Sequence, residues 1–324
     1  MLRYALKRIL IIPGLLLVIG LLIFLLLSLN KTDPVLQMLP TEYTHEDYKV
    51  LQARLGLDKP PVIQYFNWLR NALKGDFGIS YKTRGLAINE VSRRIPVSFM
   101  FSFITTLAVF LLGVPLGIFC AVKQYTVFDR CTNMIAKALG SVPGFLLGVV
   151  LILLFAQKLR WFPTFGFSTP RHWVLPVLTQ LLPFTANSIR QSRSVMLDCT
   201  RQDYVRTARS KGAKESRVIF RDTLRNALLP IITSTGNHFA VFIGGAVVVE
   251  NVFAIPGVGS KVVESINAGD MPVVMLCTMV IAIMFTGMAL VIDLSYALVD
   301  PRLKSTFLKA KKSEVKTAEK GSVI

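Results

Sequence analysis

The chain has 324 residues, of which 52% are hydrophobic and 17% are charged, and its formal net charge is +18. Soluble domains carry about a quarter charged residues, so this composition indicates membrane spans joined by basic cytoplasmic loops. Nucleic-acid binding would need a soluble basic domain, and no segment has that composition. The four cysteines show no paired spacing and the three histidines are scattered. We therefore predict neither a disulfide framework nor a metal site.

Six apolar stretches approach the roughly 20 residues that a helix needs to cross a hydrocarbon core. The first follows a basic start, as a secretory signal does, but it is longer than the apolar region of such a signal. We therefore expect it to be retained as a membrane span. The fourth contains Pro176, Pro183, Asn187 and Arg190, so it should lie within protein or beside a water-filled path rather than in lipid. The predicted spans are residues 9–29, 97–122, 134–156, 173–196, 228–253 and 272–299.

The segments between the spans divide the chain. After the amino-terminal part and first span (1–29), residues 30–96 form a polar segment that we expect to fold over the outer face. Within it, an amphipathic helix is predicted over residues 62–73, between the turn that ends at Pro60 and the glycine-rich turn at 75–80. Its apolar residues are Ile63, Phe66, Trp68, Leu69 and Leu73. Residues 97–305 hold the other five spans, and we predict a disordered cytoplasmic tail over 306–324.

The distribution of basic residues predicts that both termini are cytoplasmic. With the amino terminus inside, ten basic residues lie between Arg190 and Arg225 and seven lie in the tail, whereas the two short outer loops carry three and one. Short cytoplasmic loops are enriched in Lys and Arg, and long segments such as 30–96 follow this rule poorly. The sequence thus predicts an all-α membrane protein with six transmembrane helices and a cytoplasmic loop between the fourth and fifth.

That loop, residues 203–230, is the most basic part of the chain. Asp203 is suited to cap a short helix that carries Tyr204, Val205 and Ala208 on one side. Gly212 fits the left-handed position that ends a helix. A second helix is predicted over about residues 213–226, and Pro230 marks the start of the fifth span. In that second helix we expect apolar contacts from Val218, Ile219 and Phe220 and an ion pair between Asp222 and Arg225.

Small side chains gather at the break between these two helices, where they lower the bulk of the surface: Thr207, Ala208, Ser210, Gly212 and Ala213. Such a surface, with positive charge around it, is suited to dock closely into a groove of a partner protein. A loop that merely lies along anionic lipid headgroups is the alternative. That alternative accounts for the arginines but not for the glycine break.

Short motifs in a fixed order, covering about residues 1–305, resemble the permease subunits of bacterial ABC importers, in the dipeptide, oligopeptide and nickel branch. Residues 204–212 and 224–230 resemble the "EAA" loop of that family, although only Ala208 and Gly212 agree with the general consensus. Lys31-Thr32 departs from the Pro-Gly that is usual after the first span. The other motifs are Asp33-Pro34, 56–60, 75–80, Leu175-Pro176, 245–250, 256–259, 272–274 and 300–302.

The resemblance implies half of a heterodimeric pore in the bacterial cytoplasmic membrane. The implied partners are a second, homologous permease, two cytoplasmic ATPase subunits and an extracytoplasmic solute-binding protein. The chain lacks a phosphate-binding Gly-x-x-x-x-Gly-Lys-Ser/Thr loop, so we expect no bound cofactor and no catalytic residues, with ATP and Mg²⁺ used by the partners. The residues implied in coupling to the ATPase are Tyr204, Arg206, Thr207, Ala208, Lys211, Gly212 and Ala213.

Polar groups within the spans predict the translocation path only weakly. Asn187, Asn237 and His238 are candidates to face the pore, because polar groups in lipid are costly, and hydrogen bonds between helices are the alternative. Glu250, near the end of the fifth span, is expected to be structural. A peptide is the expected substrate, while nickel or another small solute stays open. A secondary transporter would show internal repeats, and a membrane enzyme would carry a recognisable catalytic motif. The sequence shows neither, so both alternatives are disfavoured.

Overall fold

The computed structural model describes residues 2–29 and 33–299, with side chains between residues 10 and 292, and the predicted disordered tail lies outside this part. Within it the chain is helical and forms no β-strand. The helices are α1 (Leu2–Ser28), α2 (Pro34–Met38), α3 (His45–Leu55), α4 (Pro61–Ala72), α5 (Ala87–Ser92), α6 (Ile95–Val122), α7 (Val127–Gly140), α8 (Gly144–Leu151), α9 (Pro170–Thr200), α10 (Asp203–Ser210), α11 (Glu215–Arg217), α12 (Leu224–Val252), α13 (Val258–Asn267) and α14 (Met271–Val299). Two π-helical segments, Ile152–Lys158 and Val218–Thr223, continue α8 and join α11 to α12.

Four of the helical stretches in the described residues are long and apolar enough to cross a membrane. They are Leu10–Ser28, Ala87–Val122, Glu215–Val252 and Met271–Ile292. Their positions confirm the first, second, fifth and sixth predicted spans as helices with the length and composition of a span.

The third predicted span is not one continuous helix. α7 ends at Gly140, and the helix that starts at Gly144 leaves at an angle of 95°. Pro143 lies in the break and restricts the backbone of the residue before it, which explains why the helix ends there. The two halves together supply a fifth candidate span, whereas the prediction of a single helix over residues 134–156 was wrong.

The fourth predicted span, α9, is the central helix of the fold. It packs along α6 and also contacts α7, α8 and α12. Buried residues follow each other along most of its length, from Leu175 to Met196. Most of this proline-containing helix is therefore packed within protein, one of the two environments that the sequence predicted for it. Its composition does not place it among the helices apolar enough to cross a membrane by themselves.

Two glycines of α6 allow its close contact with α9. A Cβ atom at Gly117 would lie 2.6 Å from the carbonyl oxygen of Ile189, and one at Gly113 would lie 2.7 Å from the Cβ of Ser188. Neither distance is tolerated between real atoms, so any side chain at these positions must move the helices apart. The seam between α6 and α9 therefore depends on glycine, as close helix packing in membranes commonly does.

We expect Gly117→Leu to destabilise the protein by at least about 1–3 kcal/mol, the usual cost of overpacking, because a backbone carbonyl cannot rotate away as a side chain could. Thermal unfolding in detergent would measure this as a lower melting temperature. Gly14→Leu is the matched control, since a Cβ at Gly14 in α1 has no atom within 4 Å. Equal melting temperatures for the two variants would contradict the role of the seam.

The segment between α1 and α6 contains four short helices and is fixed to the core by its side chains. The predicted amphipathic helix is present as α4. Of its predicted apolar residues, Trp68 and Leu69 pack against the core, whereas Ile63, Phe66 and Leu73 are exposed, so the predicted apolar face is confirmed only in part. α4 is also anchored by Tyr65, which is buried and donates a hydrogen bond of 2.8 Å to the carbonyl of Leu17 in α1. The segment thus packs alongside the first span.

A buried carboxylate holds the end of this segment to the last span. Asp270, just before α14, accepts hydrogen bonds from the Ser80 hydroxyl and, at 3.0 Å, from the backbone N–H of Tyr81. Burial, and then the charge of Asp270, raises the pKa of Tyr81 to about 12, so this phenol stays protonated. Nearby, Lys261 pairs with Glu90 at 3.1 Å. These contacts join residues more than 170 positions apart in the sequence.

A second buried carboxylate, Glu250, fixes the loop after α12, which contains α13. The Ser98 hydroxyl of α6 donates to Glu250 Oε1 at 2.6 Å, and the backbone N–H of Ser260 donates to Oε2 at 2.9 Å. Ser98 in turn accepts from the backbone N–H of Val258 at 2.7 Å. We call these four residues the Glu250 clasp. It gives Glu250 the structural role that its sequence position predicted.

Candidate functional site

The first helix of the predicted docking element is α10, and it ends as predicted. Gly212 has a φ of +74°, in the left-handed region, and the N–H groups of Gly212 and Ala213 donate back to the carbonyls of Arg209 and Ala208. This arrangement satisfies the free carbonyls of the last turn. The start differs from the prediction, because the cap is Gln202, which makes no side-chain cap bond, and Asp203 is the first helical residue.

Val205 anchors α10 to the rest of the chain. Its side chain is fully buried, as is that of Val218 in the π-helical segment against which α10 packs. Tyr204 is 41% exposed and Phe220 is 65% exposed. Of the apolar contacts predicted from the sequence, Val205 and Val218 are thus confirmed, while the prediction for Phe220 was wrong. α10 therefore packs through Val205 on one side, while its small residues Thr207, Ala208 and Ser210 stay at least partly exposed.

The second helix of the element is not a separate unit. It begins at Glu215, includes the π-helical turn Val218–Thr223, and continues across Pro230 to Val252. Ala227 and Ile231, on either side of Pro230, are both buried in one cluster with α6 and α9. Because this packing holds the helix on both sides of the proline, the proline does not end it. The predicted boundary at residue 226 was therefore wrong.

A groove of about 1160 Å³ lies between the exposed side of α10 and this long helix. Six of the seven predicted coupling residues line it: Tyr204, Thr207, Ala208, Lys211, Gly212 and Ala213. The seventh, Arg206, is not among the lining residues and lies 3.9 Å from Asp203. The other wall carries Ser216, Arg217, Arg221, Asp222, Arg225, Asn226 and Leu229. The structure therefore brings the predicted residues together along one concave surface.

The charges of this element are arranged unevenly. Arg209 and Glu215 close the turn around Gly212 with an ion pair of 2.6 Å, and the hydrogen bond to Glu215 raises the pKa of Arg209. Partial burial raises the pKa of Tyr204, which keeps its phenol neutral. The predicted pair between Asp222 and Arg225 is not formed, although both residues are described. The one carboxylate that lines the groove, Asp222, thus forms no ion pair with a described cation, and positive charge is in excess there.

The three pore candidates fall into two different environments. Asn187 on α9 and Asn237 on α12 are exposed. His238 is 7% exposed and lies between the rings of Phe184 and Phe242, with its Nδ1 lacking a hydrogen-bond partner within the described part of the chain. Asn187 accepts a hydrogen bond of 3.2 Å from Arg190. The structure thus leaves two candidates at the surface of the subunit and one in its interior.

A polar face on α9, which the sequence reading did not identify, surrounds Asn187. Between His172 and Thr200, every exposed residue of this helix is polar, and their spacing of four, three and four places them on one face: Asn187, Gln191, Ser194 and Asp198. Ser234 of α12 donates a hydrogen bond of 2.5 Å to Gln191. The helices run antiparallel, so Asn237 lies on the same side of this contact as Asn187. A helical period applied to polar residues would have revealed this face.

The comparisons with known proteins agree with this architecture. The family described as "Binding-protein-dependent transport system inner membrane component" matches residues 113–305, and the amino-terminal family "Binding-prot-dependent transport system membrane comp, N-term" matches residues 1–102. The chain belongs to the binding-protein-dependent transport permeases. These families, together with the similarity to oligopeptide and glutathione permeases, confirm the resemblance to the dipeptide, oligopeptide and nickel branch.

Curated relatives of this permease match over nearly their whole length. The "Oligopeptide transport system permease protein AppB" of Bacillus subtilis is 35% identical over 315 residues, which covers 94% of this chain and 100% of the relative. The "Glutathione transport system permease protein GsiC" of Escherichia coli K12 is 33% identical over 304 residues, covering 94% and 99%. The permease is thus a multi-pass membrane subunit of a larger transporter, and it is not itself catalytic.

Among solved structures, the permease is similar to a chain from the "Crystal structure of an amino acid ABC transporter with histidines". The identity is 14%, the TM-score is 0.47, and the match covers 63% of this chain and 92% of that one.

Proposed function

We propose that this permease is one half of the pore of an ATP-driven importer that takes up peptides across a bacterial cytoplasmic membrane. The observation that carries the proposal is the full-length similarity to permeases whose names specify oligopeptide and glutathione transport. Both substrates are peptides, so a peptide is favoured over nickel or another small solute. The pore is completed by a second, homologous permease, and an extracytoplasmic binding protein delivers the substrate.

Coupling to ATP is assigned to the surface formed by α10 and Gly212. Its exposed small residues suit close docking into a cytoplasmic ATPase, and the burial of Val205 fixes α10 to the helix that leads into the fifth span. Movement of the bound ATPase subunits is thereby passed to the membrane helices. Two arrangements of these helices, biased by nucleotide, would give inward-open and outward-open states.

In the proposed topology, six spans place both termini in the cytoplasm, with α7 and α8 together forming the third. The basic groove then faces the cytoplasm, in agreement with the positive-inside rule. α9 forms the fourth span although it is not apolar enough for lipid. Its neighbours α6, α7, α8 and α12 shield most of its surface, and the remaining exposed residues are polar.

We assign the polar face of α9, together with Asn237, to the translocation path. Exposed amides and hydroxyls in a span are costly in lipid, whereas water or a peptide satisfies them. The exposed side chains of α6 are different, since Leu107, Leu111 and Leu112 are apolar and suit lipid. His238 is shielded from the path by Phe184 and Phe242. The proposed path therefore includes Asn187 and Asn237 but not His238.

Cysteine labelling of the assembled transporter checks this assignment. In a variant that lacks the four native cysteines and retains uptake, Ser194→Cys and Asn237→Cys are expected to react with a charged, membrane-impermeant thiol reagent, because ionised thiols form only where water reaches. Leu111→Cys on α6 is the matched control and should stay unlabelled. Labelling of Leu111→Cys but of neither path variant would contradict the assignment.

Reconstitution tests the proposed function as a whole. The permease is co-expressed with its second permease and ATPase subunits, and the complex is placed in proteoliposomes with the cognate binding protein. We expect uptake of labelled di- and oligopeptides that requires both ATP and the binding protein. Uptake driven by an ion gradient without ATP would identify a secondary transporter instead, and uptake of nickel but not of peptide would assign a different substrate.

A further inference from the structure

The wall of the groove opposite α10 carries a row of arginines. Arg217, Arg221 and Arg225 follow each other at intervals of four residues on the helix that begins at Glu215, and all three are exposed and line the groove. Lys211 and Lys214 add two more cations from the turn that connects the walls. The positive-inside rule alone accounts for basic residues in a cytoplasmic loop. It does not require that these five cations line the same concave surface.

These five cations have almost no counter-charge within the chain. In the described part of this element the ion pairs are Arg206 with Asp203 and Arg209 with Glu215, so none of the groove cations takes part. Asp222 is the one carboxylate among the residues that line the groove, and no described cation pairs with it. The groove therefore presents several positive charges to whatever enters it.

The turn beneath this row is unusual as well. Val218–Thr223 forms a π-helical turn, a feature often found at functional sites. Thr223 is 1% exposed, and its hydroxyl has no hydrogen-bond partner in the described structure. A helix that is locally widened beside a buried hydroxyl without a partner can adjust when a protein binds against its outer face.

We infer that the groove receives an acidic ridge of the cytoplasmic ATPase subunit, with Arg217, Arg221 and Arg225 as its counter-charges. The inference rests on the proposed docking of α10. An ATPase subunit that binds around α10 must place part of its surface in the groove between α10 and the arginine row. The positive charge of that row favours a surface rich in Asp and Glu. Arginine suits this role because its guanidinium binds carboxylates in a bidentate manner.

The size of the groove favours a protein ridge over a small anion. Its volume of about 1160 Å³ exceeds the roughly 300–1000 Å³ of most small-molecule sites. A single phosphate needs only one or two of the five cations. Six of the lining residues already belong to the proposed docking surface, so a ridge that fills the groove extends that interface continuously onto the arginine row.

The test compares two triple variants of the whole complex. R217Q/R221Q/R225Q removes the row, and K123Q/R130Q/R201Q removes three exposed charges outside the groove, on segments predicted to be cytoplasmic. The affinity of each assembled permease pair for the ATPase subunits is measured in nanodiscs of phosphatidylcholine, which carries no net charge. We expect the row variant to bind the ATPase about tenfold more weakly, given the usual strength of exposed ion pairs. The control variant should bind like the unmodified protein.

Two further measurements separate the possible outcomes. Raising the salt concentration should weaken ATPase binding of the unmodified permease more than that of the row variant, which keeps only Lys211 and Lys214 as groove cations. R217K/R221K/R225K should recover part of the affinity. Equal affinity of both triple variants would overturn the inference while leaving the docking of α10 intact. An effect seen only when phosphatidylglycerol is added would assign the groove to lipid headgroups and would also overturn it. No ATPase binding by the unmodified permease would instead refute the proposed function.

Discussion

A Gly212→Trp variant is expected to fold normally but to lose ATP-driven peptide uptake. The Cβ position at Gly212 has no neighbouring atom within 4 Å, so an indole would project into the groove without disturbing the chain itself. The left-handed backbone adds a cost of about 1–2 kcal/mol for any L-residue, which an exposed turn can tolerate. A ring at the centre of the docking surface should lower uptake at least about tenfold, since a loss of 1.4 kcal/mol in docking already suffices.

Two controls separate docking from backbone strain at this position. Gly212→Asn has a small side chain that tolerates the left-handed conformation, so it should retain most of the uptake. Gly56→Trp matches the backbone cost, because Gly56 also ends a helix with a φ of +70° and an empty Cβ position. That variant should bind the ATPase subunits normally. Normal uptake by Gly212→Trp would refute the assignment of this surface to coupling.

Loss of the Glu250 carboxylate is expected to have the largest effect on stability. Glu250 is fully buried, and alanine in its place would leave the Ser98 hydroxyl and the Ser260 N–H without their acceptor. Each unsatisfied buried donor costs about 1–3 kcal/mol, and the cavity adds to this. We expect Glu250→Ala to yield little folded protein and to melt at a clearly lower temperature in detergent.

The matched variants test whether the hydrogen bonds of the clasp are responsible. Glu250→Gln has the same shape and keeps one carbonyl oxygen as an acceptor. Its melting temperature should therefore lie between those of the unmodified protein and Glu250→Ala. Gly257→Ala should resemble Glu250→Ala, because a Cβ at Gly257 would overlap the carboxylate. If Glu250→Ala melted at the same temperature as the unmodified protein, the clasp would have no structural importance.

Local features of the fold could be predicted from the sequence because their causes are local. Gly212 ends a helix because glycine adopts the left-handed conformation without steric cost, and four of the long apolar runs form helices that could each cross a membrane. Pro143 and Pro230 show the limit of this reasoning. Both can end a helix, but only Pro143 does so, because Ala227 and Ile231 pack on α6 and α9 and hold the helix on either side of Pro230.

The site could be predicted in part for a similar reason. Small residues and a glycine break identified one wall of the groove, since both are contiguous in the sequence. The arginine row belongs to the opposite wall, and its convergence depends on how α10 folds back. Contacts such as Ser98 with Glu250, or Ser80 with Asp270, join residues more than 150 positions apart. No pattern within either segment indicates the partner.

The helix that crosses Pro230 has a mechanical consequence. It is a rod of 38 residues from Glu215 to Val252, about 55 Å long at the usual rise per residue. The arginine row occupies one end, and Glu250 lies within a turn of the other. The described chain is helical throughout between the two, so in the proposed topology a tilt imposed at the cytoplasmic end would displace α13 at the opposite end. ATPase docking and movement of the α13 loop would then be linked mechanically through one helix, and the stiffness of that helix would set their relative timing.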